Sequence, residues 1–276
     1  MSHSTRDMRG HVALLPFATV HVLAVTLPFV VGVSWQALAL CAVSYAVRMF
    51  GISAGYHRYF AHRSFKTSRP FQLVLALLGA TAMQKGPLWW ASHHRHHHRY
   101  SDTERDVHSP TRRGFWWSHM GWILSNDYVA TDSARVKDLG KDPEVRWVDR
   151  YATWPGLIVL GAMYFTLGAQ MAVWGGLVST MLLWHATFTI NSVSHVFGRR
   201  DFATADTSRN SLPLALVTLG EGWHNNHHHH QASANFGFAA RELDLSFGVL
   251  RVLERLGVIW DVKRAPGDVL AARLAG

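Results

Sequence analysis

Residues 12–34 read VALLPFATVHVLAVTLPFVVGVS, without a single Asp, Glu, Lys or Arg. About 20 apolar residues cross the hydrocarbon core of a bilayer as a helix, so this run is long enough to span. Three further runs share its character. Residues 35–57 carry one charge, Arg48; residues 154–173 and 174–197 carry none and are expected to join through Gly175-Gly176. The competing reading is buried helices of a large soluble core. Four runs of this length, two of them back to back, favour membrane spans. The first run is too long for the apolar region of a signal peptide, and another follows it at once. A shorter run, 71–83 (FQLVLALLGATAM), is expected to lie in the interface or to re-enter.

Composition agrees. Of 276 residues, 49% are hydrophobic and only 16% charged, against roughly 25% charged in a typical soluble domain. The 12 tryptophans are the residue type that gathers at membrane–water interfaces. With so much apolar sequence, the net charge of +9 points to a lipid surface rather than nucleic acid. The one cysteine, Cys41, excludes an internal disulfide, a Cys-rich zinc site and a Cys-ligated iron–sulfur cluster.

Lysines and arginines concentrate in the N-terminus, in 58–150 and after 198, while the turns near 33–36 and 168–176 are uncharged. The positive-inside rule puts the basic regions, and hence both termini, in the cytoplasm. No internal repeat or low-complexity linker divides the chain. The expected fold is a single all-α integral membrane domain, 1–276. Its four transmembrane helices are capped by a cytoplasmic helical layer from 58–150 and 198–276.

Histidine clusters fall on that cytoplasmic side: HRYFAH (57–62), HRHHH (94–98) and EGWHNNHHHH (221–230). His94, His97 and His98, like His224, His227 and His228, are spaced i, i+3, i+4 and share one helix face. His57 and His62 lie about 140° apart on an ideal helix, so both reach one site only where the helix ends or widens. Asn191 and His195 are spaced i, i+4 at the end of the last run. His11, His21 and His185 stand alone in apolar sequence and read as core or interfacial residues, and His3 as part of a loose terminus. Loose metal-buffering tracts lack the interleaved tryptophans and glycines seen here, which favours a built metal site.

Imidazole suits zinc, copper, iron and nickel. A single zinc takes three or four ligands, fewer than the histidines available, so two metals fit the count. The HExxH pattern of zinc proteases is absent. The one Glu-x-x-His, Glu221 to His224, contains Gly222 and does not make a ferritin-like site. A histidine-rich, carboxylate-poor site beside the bilayer suggests di-iron oxygen chemistry on an aliphatic chain.

These residues resemble the membrane fatty acyl desaturases of the delta-9 type, the stearoyl-CoA and bacterial or cyanobacterial acyl-lipid enzymes. The likeness runs from about residue 45 to 260. It rests on GISAGYHRYFAHRSF, HRHHHRYSDTERDVH, RRGFWWSHMGW, NSVSH and GEGWHNNHH in family order. The resemblance implies two irons held by His57, His62, His94, His97, His98, His195, His224, His227 and His228, with Asn191 acting through water. His93, His96, His229 and His230 fall outside the pattern. Gln84, Trp90 and Thr187 match positions that shape the bend of the acyl tunnel. The implied reaction uses O2 and two electrons to set a cis double bond, at the delta-9 position, into a saturated acyl chain.

The positions that contact coenzyme A in the animal enzymes are here Ser92, His93, Asn126 and Asp127. The carrier is therefore left open between CoA, a membrane lipid and a carrier protein. Arg112 and Arg113 are the remaining candidates to meet phosphate or anionic lipid. No glycine-rich dinucleotide fingerprint follows a strand, so a separate ferredoxin-like or cytochrome-type electron donor, with its reductase, is expected. The alternatives are a histidine-box fatty acyl or alkane hydroxylase with the same metals and, more distantly, a metal-transport protein.

Overall fold

The computed structural model describes residues 4–273, with side chains from Leu14 onward within the first helix. His3 lies outside the described residues, as does the side chain of His11. Helix α1 spans Ser4–Val31, starting earlier than the apolar run. It turns at Gly32, whose φ of +71° suits a residue without a side chain. The Ser34 hydroxyl then accepts the Ala37 N–H at 3.2 Å to cap α2, Trp35–Ala61. Next come α3 (Arg69–Ala80), α4 (Pro87–Tyr100), α5 (Pro143–Arg150) and α6 (Trp154–Leu167). The long α7 (Ala169–His195), then α8 (His224–His229) and α9 (Leu245–Arg255), complete the helical body. A two-residue ladder, β1 (Lys66–Thr67) against β2 (Ile259–Trp260), is antiparallel and pairs Lys66 with Trp260.

Among the described residues, three helices are long and apolar enough to cross a bilayer: Leu14–Val31 within α1, Trp35–Ala61 and Ala169–His195. The run at 154–173 does not form one span of its own. It folds as the 14-residue α6, about 21 Å at 1.5 Å per residue, followed by a break. That break falls at Gly168 and not at Gly175-Gly176. Gly168 takes the left-handed φ of +89°, which costs glycine nothing. Gly175 and Gly176 instead sit inside α7, where a Cβ would come within 2.8 Å of Leu40 and 2.4 Å of Leu160. Those two glycines are sites of close helix approach.

Arg48, the one charge of the second run, is buried among helices. Its guanidinium donates to Thr180 Oγ1 at 2.6 Å and to the hydroxyl of Ser179, tying α2 to α7. A buried cation needs such partners in place of water. The main core gathers the C-terminal half of α2 with α3, α4 and α7 around Tyr56, Phe60, Leu75 and Leu183. It holds the helix ends that carry the histidines.

Candidate metal centre

Three elements set the histidine geometry. The last part of α2, Gly51–Ala61, is wound as a π-helix, whose hydrogen bonds close over five residues instead of four. The N–H of His62 accordingly donates to the His57 carbonyl at 3.1 Å. The wider turn brings the two imidazole rings to 4.9 Å, centroid to centroid. On α4 the side chains divide between two groups of ligand atoms: His94 and His98 join one and His97 the other. On α8, His227 joins His94 and His98, while His224 and His228 join His97.

The result is two compact groups. His57, His62, His94, His98 and His227 form one, and His97, His195, His224 and His228 the other; within each, the ligand atoms lie within 4.8 Å of one another. In the first, Nε2 of His57 and His227 approach to 3.0 Å, His227 and His98 to 2.9 Å, His98 and His94 to 2.9 Å, and His94 and His62 to 2.8 Å. A single N–H cannot point at two nitrogens at once, so this spacing is not that of ordinary hydrogen bonds. Imidazole nitrogens bound at about 2.0–2.1 Å to one metal stand about 3 Å apart when they meet at right angles.

Carboxylates orient the rings from behind, a layer that sequence reading missed. Nδ1 of His97 donates to Asp106 at 3.0 Å, that of His195 to Asp102 at 3.1 Å and that of His228 to Asp206 at 2.7 Å. Nδ1 of His57 donates to Glu221, which also pairs with Arg58 at 3.0 Å. A ligating histidine is usually fixed in this way through its second nitrogen. With Nδ1 so occupied, Nε2 of His97 and of His228 is buried without a partner. Those orphaned lone pairs point into the second group and fit a metal ion.

Electrostatics favour the neutral donor form. Burial, then the neighbouring histidines, holds His62, His94, His98, His224 and His227 well below the usual imidazole pKa. Burial outweighs Asp206 at His228 and takes it down to about 4. At His97 burial acts in the same direction, but Asp106 outweighs it and the pKa is raised. Metals bind deprotonated imidazole, so the rings with lowered pKa offer their lone pairs at neutral pH.

A cavity of about 480 Å³, within the usual range for small-molecule sites, reaches both groups through His57, His94 and His224. Gln84, Trp90, Thr187 and Asn191 also line it. The amide of Gln84 donates to the Thr187 hydroxyl at 2.7 Å, and Trp90 stacks on His94 with centroids 4.7 Å apart. The structure thus gathers the nine histidines into two groups and sets Gln84, Trp90, Thr187 and Asn191 on the one cavity that meets both.

The histidines outside the pattern join neither group, although His93 lines the cavity. His93 faces the Trp89 carbonyl at 2.9 Å, His96 that of Arg105 at 2.6 Å, and His229 stacks on Phe202. Two residues were read too plainly. His21 and His185 are not solitary: their Nε2 atoms meet at 2.9 Å, and His185 Nδ1 meets His119 Nε2 at 3.0 Å. His108 was not singled out, yet it stacks on His97 at 4.2 Å and lines the cavity. Arg112 pairs with Glu104 at 3.1 Å and Arg113 donates to Tyr128 at 2.8 Å.

Comparison with known proteins agrees with this geometry. The family model for fatty acid desaturases matches residues 33–236. The chain is 38% identical over 264 residues to the icosanoyl-CoA 5-desaturase of Limnanthes douglasii, covering 94% of this chain and 72% of that protein. It is 38% identical over 261 residues to delta-9 acyl-lipid desaturase 2 of Arabidopsis thaliana, covering 93% and 83%. With the sn-1 stearoyl-lipid 9-desaturase of Anabaena variabilis it shares 36% over 265 residues, covering 95% and 97%. An oxidoreductase of lipid metabolism with clustered histidines against an apolar cavity, the chain belongs to the fatty acid desaturase family.

Proposed function

We propose that the protein is an O2-dependent acyl desaturase with two irons, one in each histidine group, forming a cis double bond at the delta-9 position. The observation that carries this reading is the meeting of the two groups with a single apolar cavity through His57, His94 and His224. Bound there, two irons would supply the oxygen chemistry that removes two hydrogens from adjacent methylenes while O2 leaves as water.

The chain's own residues place the substrate and guard the site. Gln84 and Thr187, locked together at 2.7 Å, form a polar ridge on the cavity wall that sets the course of the acyl chain. Trp90, stacked on His94, fixes the height at which the chain passes. Asn191 on α7 faces the cavity and would hold an iron through water. Asp102, Asp106, Asp206 and Glu221 keep the ring nitrogens in the tautomer that ligation needs.

Relatives named for positions 5 and 9 match at 36 to 38% identity; the delta-9 position is taken from the motif resemblance. We place α1, α2 and α7 across the membrane, with α6 as a fourth, shorter membrane helix, and the histidine side in the cytoplasm. A separate small redox protein would deliver electrons to that face.

Expression in a host lacking such an enzyme, followed by lipid analysis with dimethyl disulfide adducts, tests the reading. New monounsaturated chains, lighter by two hydrogens, are expected. Products heavier by one oxygen would assign the protein as a hydroxylase, and an unchanged lipid profile would overturn both.

A further inference from the structure

The cavity walls are buried or half-buried except at Pro16, Lys85, Val129 and Thr153, the four exposed residues among those lining it. Those four mark its mouth. Lys85 is the one lysine or arginine on the lining. Among the described residues, no carboxylate lies within 4.0 Å of its ammonium, whose near neighbour is the Trp89 ring at 6.0 Å. The other charged lining residue, Glu221, is already held by Arg58 and His57.

The position of Lys85 is built. It occupies the left-handed region at φ +66°, and its carbonyl accepts the Tyr56 hydroxyl at 3.3 Å. The next residue, Gly86, packs so closely that a Cβ would come within 2.2 Å of Asp149. A lone cation is therefore set on a rigid corner at the entrance to an apolar cavity.

The surroundings of the mouth indicate its depth. Trp147, Tyr151 and Trp154, adjoining Thr153, are 56%, 38% and 59% exposed. Exposed Trp and Tyr settle at the headgroup level of a membrane, where lipid phosphates also lie. Coenzyme A carries several phosphates and calls for several cations, whereas this mouth offers one.

Resting on the desaturase reading, we infer that Lys85 binds the phosphate of a membrane glycerophospholipid whose acyl chain enters the cavity. Lys85 thereby selects phospholipid-borne chains over phosphate-free and CoA-borne ones.

The test uses the full-length protein in lipid nanodiscs and probes carrying a diazirine in an 18-carbon acyl chain. The chain is presented as phosphatidylglycerol, as diacylglycerol or as acyl-CoA, and adducts on the peptides bearing Trp90 and Thr187 are quantified by mass spectrometry. Lys85→Met is expected to lower the phosphatidylglycerol adduct about tenfold, the effect of losing one charge-assisted contact, and to leave the diacylglycerol adduct unchanged. Lys85→Arg should retain most of the phosphatidylglycerol adduct. Equal loss of both lipid adducts, or no loss, would overturn the inference. Loss confined to the acyl-CoA adduct would overturn it in favour of that carrier. Adduct formation needs neither iron nor electrons, so this result and the appearance of new double bonds can fail independently.

Discussion

Asp102 accepts a hydrogen bond from Nδ1 of His195 at 3.1 Å, across 93 positions of sequence, and takes a second from the Thr207 hydroxyl at 2.7 Å. The carboxylate fixes which nitrogen of His195 faces the second histidine group. Asp102→Asn keeps the shape but can present an N–H where an acceptor is needed. Such losses typically weaken metal affinity 10–100-fold. Iron content after equilibration with a competing chelator should fall by about that factor while the circular dichroism spectrum is unchanged; wild-type retention would show that Asp102 does not orient the ligand.

The five histidines near the end of EGWHNNHHHH should separate sharply. His224, His227 and His228 lie in the two groups, whereas His229 stacks on Phe202 with centroids 4.3 Å apart and His230 joins neither group. Alanine at any of the first three should abolish desaturation and lower bound iron. Replacing His229 and His230 together should leave most of both. Equal losses at all five would mean a diffuse histidine tract instead of two defined centres.

Thr187→Val deletes the hydroxyl that receives the Gln84 amide while nearly conserving volume. Misplacement of about 1 Å can cost about 100-fold in rate. We expect desaturation to fall at least tenfold, or the double bond to move along the chain, with iron content unchanged. Gas chromatography of the products gives the answer, and an unaltered product at an unaltered rate would remove this pair from any positioning role.

Metal-free protein should lose stability as pH falls. His62, His94, His98, His224 and His227 are held below their ordinary pKa by burial, and His228 lies at about 4. The unfolded chain therefore binds more protons below about pH 6.5, and folding is penalised progressively down to the native values. For His228 alone the penalty at pH 5 is about 2 kcal/mol; His97, whose pKa is raised, offsets part of the total. Thermal unfolding of the metal-free protein should occur at a clearly lower temperature at pH 5 than at pH 7. An equal midpoint would show that these rings are not buried in the neutral form.

The parts of the structure that sequence revealed are those with a regular period. Spacings of i, i+3, i+4 placed His94, His97 and His98 on one helix, and long apolar runs marked α1, α2 and α7. The orienting carboxylates escaped because Asp102, Asp106 and Asp206 stand in irregular segments without any period, and their partners are chosen only by folding. The break near 168–176 was misplaced for a related reason. Gly168 and the pair Gly175-Gly176 are alike as sequence, and only the nearness of Leu40 and Leu160 tells a packing glycine from a turning one. Arg48 stood in the sequence only as the one charge of its run; its partners, Ser179 and Thr180, lie more than 130 positions away.

The wide winding of residues 51–61 makes chain length, more than residue identity, the quantity this segment must preserve. His57 and His62 share a face because they stand five positions apart and the turn is one residue larger than usual. Many single substitutions between them leave that count intact. An alanine inserted between Tyr59 and Phe60 sets the pair six apart, where ordinary helical winding at about 100° per residue leaves them about 120° off a common face. Insertion should therefore empty the first histidine group of metal, although no liganding residue has been changed.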